Sequence, residues 1–191
     1  MRVVGVLLAA GRGERFGGGK LVAPLPAGPN AGVAVGVAAC RNLRAAVDEV
    51  VAVVRPGDQA LVAAFAGEGA RVVVAARADD GMGASLAAGV AAAGDADGYL
   101  VALADMPWVA PATICLVVEA LRGGASIAAP RCRGERGHPV GFGAAHRAGL
   151  VALSGDQGAR SILEANASFV TFVDVDDAGV VADVDVPADL R

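Results

Sequence analysis

The sequence is short of lysine, of aromatic side chains and of histidine, and each shortage narrows its possible functions. Lys20 is the only lysine, and His138 and His146 are the only histidines. Lys and Arg total 16 against 20 Asp and Glu, a formal net charge of -4. Nucleic-acid binders carry a basic excess, so that class is set aside; a local cluster of cations for an anionic substrate is not. Aromatics make up 4% of a chain that is 55% hydrophobic. Its core must therefore be packed from Val, Ala and Leu, which suits buried parallel strands flanked by small-residue helices. Cys40, Cys115 and Cys132 have neither zinc-site nor redox-motif spacing, and a reducing compartment is expected. The opening run after Arg2 ends in glycines without a cleavage-site pattern, so it does not read as a secretory signal. A long uncharged stretch between Lys20 and Arg41 is broken by Pro24, Pro26 and Pro29, which argues against a membrane span. The expectation is one cytoplasmic domain over residues 1–191, with no nucleic-acid or membrane partner.

Apolar strand runs alternate with helical patterns. Strands are expected at 2–9, 48–54, 71–76, 98–104 and 125–130. Helices are expected over 31–46 (with Asn30 as a candidate N-cap), from the "RPGD" turn through Phe65, near 84–93, and from Pro111 through Leu121. Strand–helix units of this length predict an α/β fold with a doubly wound, mainly parallel sheet. Regularity fails after Pro130. An exposed turn at "RCRGERG", a short strand at "HPVGFG", helices on either side of "SGDQG" and an alternating strand at 168–175 suggest a small, partly antiparallel substrate lobe.

The first strand runs into "LLAAGRGERFGGGKL" (7–21), where five glycines, Arg12, Arg15 and Lys20 crowd together. A Walker-type phosphate loop requires glycine six residues before the lysine and Ser or Thr after it. Here those positions hold Glu14 and Leu21. A dinucleotide fingerprint requires Gly-x-Gly-x-x-Gly opening a helix. Gly11, Gly13 and Gly17 are one residue too widely spaced, and Pro24 and Pro26 follow. What remains is a loop that wraps a triphosphate with backbone amides and three cations, at the carboxyl edge where α/β sheets bind ligands.

Further motifs stand in order behind it: "DDGMGASLAAGV" (79–90), "LADMPWV" (103–109), "RGHPVGF" (136–142), "GDQGAR" (155–160) and "DVDVPADL" (183–190). Taken together with the glycine loop, the set resembles the molybdenum-cofactor nucleotidyltransferases, with "RGHPVGF" and "GDQGAR" most similar to the cytidylyltransferase branch. The resemblance implies a Rossmann-like nucleotidyltransferase fold and Mg²⁺-dependent transfer of CMP from CTP, with release of pyrophosphate. The implied acceptor is a phosphorylated pterin-type molecule, and a molybdoenzyme or its chaperone would receive the product. Guanylyl transfer from GTP is the nearest variant, although "LAAG" resembles the cytidine users, since guanine users usually show glycine where Ala10 stands. By this resemblance Arg15, Lys20 and Asp105 are catalytic. Leu8, Ala9, Ala10, Gly11, Arg12, Gly13, Gly81 and Ser85 join Arg15 and Lys20 around the nucleotide. Asp105 and Asp185 hold the metal, with Asp183 as the rival to Asp185. His138, Pro139, Asp156 and Arg160 face the acceptor.

The residues also support plainer readings. Asp105 ends an apolar strand, and its carboxylate should be free because the next helix begins only near Pro111. Ser85 suits a helix cap as well as a base contact. His146 has no comparable neighbours and reads as structural or surface. Departures from the family pattern at Gly13, Phe16, Ala104, Val186 and throughout 23–33 leave the exact substrate open. Two other classes compete: a nicotinamide-dependent oxidoreductase, with Arg55 meeting a 2′-phosphate, and an accessory protein that delivers cofactor without turnover.

Overall fold

The computed structural model describes residues 1–190. Its strands are β1 (Val3–Ala9), β2 (Glu49–Val54), β3 (Arg71–Val74), β4 (Gly98–Leu103), β5 (Ile127–Cys132), β6 (Glu135–Arg136), β7 (Val140–Gly143) and β8 (Val170–Asp174). Its helices are α1 (Val35–Arg44), α2 (Gln59–Gly67), α3 (Met82–Ala93), α4 (Pro111–Arg122), α5 (Arg147–Val151) and α6 (Arg160–Ala165). All eight strands form one sheet in the order β3-β2-β1-β4-β7-β5-β6, with β8 on the other side of β5. The β1–β2, β1–β4, β2–β3 and β5–β8 pairs are parallel. Only β7 and the β5–β6 hairpin run antiparallel. The antiparallel strands lie in the C-terminal third, as expected, and extend the same sheet.

Parallel strands covered on both faces read as unbroken apolar runs. In β1 alternate residues feed two cores: Val3 and Leu7 pack with Leu43 of α1, Phe65 of α2 and Val117 of α4. Val4 and Val6 pack with Leu86 and Val90 of α3 and Leu150 of α5. Gly5 is small because the Leu43 side chain lies where its Cβ would stand, 2.9 Å away.

Two details depart from the sequence expectations. The helix expected from Ala31 begins only at Val35, capped by Ala34 without a side-chain bond. Asn30 instead closes a turn, its carbonyl accepting from Val33 N at 3.0 Å, and Pro24 bridges to Ala34. Gly32 keeps 31–34 out of the helix: its φ is 79°, and its amide bonds back to the Leu25 carbonyl at 2.8 Å. Strand β8 pairs parallel to β5 and sits at the rim, so Phe172 stays exposed despite the alternating pattern.

The start of α4 shows how distant sequence completes a helix. Pro111 occupies the first turn, and the Asp177 carboxylate accepts from Ala110 N at 2.9 Å and Thr113 Oγ1 at 2.7 Å. Those groups would otherwise be unsatisfied at a buried helix end.

Candidate active site

Strand register places the glycine loop. Leu8 pairs with Leu103 and Ala9 with Val54, so β1, β2 and β4 end at one edge of the sheet. Between β1 and β4 the winding reverses, leaving a crevice beyond the strands' carboxyl ends. Residues 10–20 arch over it with Gly13, Gly17, Gly18 and Gly19 at φ values of 60, 87, 90 and 69°, a region that side chains disfavour. The amides of Phe16 and Gly18 turn back to the Gly13 carbonyl, and that of Gly17 to Glu14. The expectation of a full wrap of inward amides therefore narrows: residues 16–18 spend theirs on the loop itself. Its cations do the reaching.

Each cation meets an acid from a different element. Lys20 Nζ donates to Asp105 Oδ2 at 2.7 Å, with the lysine side chain only 12% exposed. Arg15 Nη1 donates to Asp185 Oδ2 at 2.6 Å, and this pair is far more exposed. Arg12 Nη2 and Arg55 Nη2 both donate to Asp79 Oδ1, each at 2.9 Å. That sharing holds the Asp79 carboxyl below its usual range, chiefly through the hydrogen bond from Arg12 and its charge. Bonds to Asp79 and Asp185 raise the pKa of Arg12 and Arg15 in turn. The Asp105 carboxylate is thus not free, as the sequence suggested; the loop folds Lys20 onto it.

The C-terminal acids are set beside Asp105 by backbone contacts. Val184 N donates to the Asp105 carbonyl at 2.8 Å. Asp189 then fixes the next turn, its carboxylate accepting from the amides of Asp185 and Val186 at 2.7 Å each. Asp185 faces Arg15, and Asp183 contributes only a weaker charge to the same arginine. Two carboxylates that each hold a cation are hard oxygen donors of the kind Mg²⁺ or Mn²⁺ takes. No group of three or more His, Cys, Asp or Glu suited to a metal occurs among the described residues. A divalent ion here would complete its shell with phosphate oxygens and water. The residues fit such an ion.

Two clefts flank the glycine loop. One, of about 300 Å³, is lined by Ala9, Gly13, Lys20, Arg55, Asp58 and Asp105 among others. Its neighbour, of about 360 Å³, is lined by Ala10, Asp79, Gly81, Ser85 and Asp156. Leu8, Gly11, Arg12 and Asp105 belong to both. Ser85 is buried on the first turns of α3, which starts at Met82, so it does not cap that helix. Its hydroxyl makes a long 3.4 Å contact to the Gly81 carbonyl. Gly81 has φ 109°, and a Cβ there would run into Gly155 and the Asp156 carboxylate. The missing side chain lets the 154–156 loop close against α3, and Gly83 N donates to the Gly155 carbonyl at 2.7 Å.

The four acceptor candidates separate. Asp156 lies in the second cleft with Gly81 and Ser85. His138 and Arg160 instead line an adjoining apolar cavity of about 140 Å³. Leu8, Met82 and Leu103 form the wall common to the two. Asp156 and Arg160 therefore do not frame one pocket. Pro139 is buried and lines neither cavity. His138 is half-buried, its backbone N donating to the Val180 carbonyl at 2.8 Å and its Nδ1 buried without a partner. Burial first, then the Arg136 charge, pushes its imidazole pKa down to about 4, against the opposing pull of Asp105 and the Val101 carbonyl. His146 bonds Ser126 Oγ at 2.8 Å and packs edge-on to Phe142, a structural role.

Asp79 and Asp189 escaped sequence reasoning, and Arg136 was read only as a neighbour of His138. Each stands inside a quoted motif, and Asp189 follows Pro187 at the spacing of a helix-start acid. Nothing along the chain, however, names Arg12 as the partner of Asp79 or Asp185 as that of Asp189.

The chain matches the model of the MobA-like NTP transferase domain over residues 5–169. That span takes in the glycine loop, Asp105 and His138 and stops short of Asp185. A nicotine blue oxidoreductase of Paenarthrobacter nicotinovorans is 36% identical over 192 residues, covering 96% of this chain and 92% of the relative. Among solved structures, Rv0371c of Mycobacterium tuberculosis is 30% identical with a TM-score of 0.84, covering 99% of this chain and 95% of that one. A second crystal structure of Rv0371c, in complex with manganese, superposes with a TM-score of 0.79 at 28% identity over 99% and 96% of the two chains. A nucleotidyl transferase of Methanothermobacter thermautotroptrophicus is 26% identical with a TM-score of 0.81, covering 98% of this chain and 94% of that one. This chain therefore belongs to the MobA-like NTP transferase family, the match running from within β1 to the residue before β8.

Proposed function

We propose that the protein, acting as a single catalytic unit in a reducing cytoplasm, transfers CMP from CTP to a phosphorylated acceptor of pterin type and releases pyrophosphate. The observation that carries this reading is the meeting of Lys20 and Asp105 at the mouth of the β1–β4 crevice, 2.7 Å apart. A phosphate-seeking cation and a metal-seeking carboxylate are both needed where a triphosphate is cut, and here each holds the other ready.

In this reading the base enters the cleft of Ala10, Gly81 and Ser85, and the triphosphate runs under the glycine loop. Lys20 and Arg15 exchange Asp105 and Asp185 for the β- and γ-phosphate oxygens, and Arg12 lies on the divide between the clefts. Asp105 and Asp185 would hold Mg²⁺, which would supply neutralisation of the phosphate charge. An oxygen of the acceptor phosphate attacks the α-phosphorus in line. Its new P–O bond forms as the bond to the bridging oxygen breaks, and the electron pair leaves with pyrophosphate. No covalent residue is needed; Lys20 and Arg15 stabilise the charge on the departing group. The crystal structure of Rv0371c in complex with manganese supports a divalent-ion requirement.

An oxidoreductase reading rests on the name of the 36% identical relative and on Arg55, which lines the first cleft. Against it, no α-helix begins between β1 and Val35, where a dinucleotide's pyrophosphate would need an N-terminus. The deciding experiment measures pyrophosphate release from CTP and from GTP with molybdopterin present, beside thermal-shift titrations with CTP·Mg²⁺ and NADPH. Release from CTP and a larger shift with CTP·Mg²⁺ support the transferase. Stabilisation by NADPH alone would overturn it.

A further inference from the structure

We propose that the small apolar cavity between α3, β7 and α6 is a subsite for one flat, uncharged six-membered ring of the acceptor, whose anionic group pairs with Arg136 at its rim. The assignment rests on the transferase reading only for the word acceptor; the site itself is argued from its own walls.

Size comes first. The cavity holds about 140 Å³. An apolar cavity of about 150 Å³ takes one benzene-sized ring and stays dry without it. A fused pterin would enter with one ring and leave the other outside. The walls suit such a guest: Leu86, Val140, Phe142 and Leu163 supply apolar surface, and the Met82 thioether packs well against ring edges.

His138 contributes a surface without charge. Its imidazole lines the cavity, and with its pKa near 4 it is neutral at physiological pH. A cation among these walls would favour a charged guest; a neutral imidazole admits an uncharged ring.

Charge is confined to the rim, where the two arginines differ. Arg160 Nε donates to Glu164 at 2.7 Å. In the neighbouring clefts Arg12 and Arg55 are bound to Asp79. Arg136 alone among these cavity-lining arginines has no carboxylate partner among the described residues. A guanidinium left open beside an apolar cavity is a receptor for carboxylate or phosphate. The position serves the chemistry as well. The wall of Leu8, Met82 and Leu103 is common with the cleft that Asp105 lines, so a group on Arg136 and a nucleotide in that cleft are neighbours.

The test uses the full chain and phenyl phosphate, with inorganic phosphate as the ringless control. Two histidines make the imidazole region of an ¹⁵N-resolved NMR spectrum readable residue by residue. Phenyl phosphate is expected to shift the His138 ring resonances saturably, at least tenfold more tightly than inorganic phosphate, and to leave His146 unmoved. Arg136→Gln, an exposed change, should weaken phenyl phosphate about tenfold, the scale of one charge-assisted hydrogen bond. Ala159→Phe, at the cavity wall, should abolish the His138 shift while CTP still binds. Equal responses to the two phosphates, or unaltered phenyl phosphate binding in both variants, would overturn the subsite. Binding of phenyl phosphate without nucleotidyl transfer to any phosphorylated acceptor leaves the subsite standing and removes the transferase reading. Transfer that phenyl phosphate neither inhibits nor accompanies by binding at His138 removes the subsite alone.

Discussion

Lys20 and Asp105 stand 85 residues apart in the chain and 2.7 Å apart in space. The contact joins the end of the glycine loop to the tip of β4, and it is the least exposed of the three loop–acid pairs. Neither side chain is satisfied by its own neighbours in sequence. Each is positioned by a strand end, because β1 and β4 pair in a register that finishes both at the same height. Replacing Lys20 by Met should lower pyrophosphate release by about 10²–10³-fold, the scale for removing one preorganised donor from a developing charge. Asp105→Asn should abolish release while the protein remains folded by circular dichroism. Turnover that persists in Asp105→Asn removes this residue from the chemistry.

Arg15 and Asp185 form a more exposed pair, and exposed ion pairs add little to stability. Asp185→Asn should therefore leave the melting temperature unchanged and weaken Mn²⁺ binding in the presence of CTP at least tenfold, read by electron paramagnetic resonance. Unchanged Mn²⁺ binding, with a loss in Asp183→Asn instead, would transfer the role to Asp183.

His138 makes stability depend on pH. Its folded pKa of about 4 lies below the ordinary 6.5, so protons bind the unfolded chain first. Stability is complete above pH 6.5, declines as pH falls, and the loss is finished below about pH 4. A shift of this size corresponds to roughly 3 kcal/mol. Urea denaturation of the native chain at pH 7, 5.5 and 4 should trace this decline, and His138→Gln should flatten it. An equal acid loss in the variant would place the cause in other groups.

Gly81 is held at φ 109° against Gly155 and Asp156. Alanine there is strained in its backbone and collides with the 154–156 loop. Gly81→Ala should cost roughly 1–3 kcal/mol in chemical denaturation and weaken CTP binding more than it weakens inorganic phosphate binding. Full CTP affinity in this variant would move the base out of the cleft beside α3.

Much of this was legible in the chain. Apolar runs located the strands of the parallel half, because a strand buried on both faces has no polar alternation to confuse it. Residues 31–34 misled, since small residues give a helical pattern even where a glycine holds the chain in a turn. Strand 168–175 was found, but not its partner or direction, because alternation fixes the face of a strand and not its neighbour. In the site, the glycine loop, Lys20 and Asp105 each stood out at the end of an apolar strand. The separation of Asp156 from Arg160 did not, since adjacency in "GDQGAR" says nothing of which side of Met82 each faces.

What the sequence determined alone was local: which segments lie between helices, where glycine permits a left-handed bend, and which cations and acids sit at strand ends. Pairings between distant segments came only from the tertiary structure. Lys20 with Asp105, Arg12 and Arg55 on Asp79, Asp189 under Asp185 and the seclusion of His138 all depend on sheet order and register. The reason is physical: hydrophobic periodicity encodes how a residue faces the core, whereas a hydrogen bond or ion pair requires two atoms within about 3 Å, a condition met only when the whole sheet has closed.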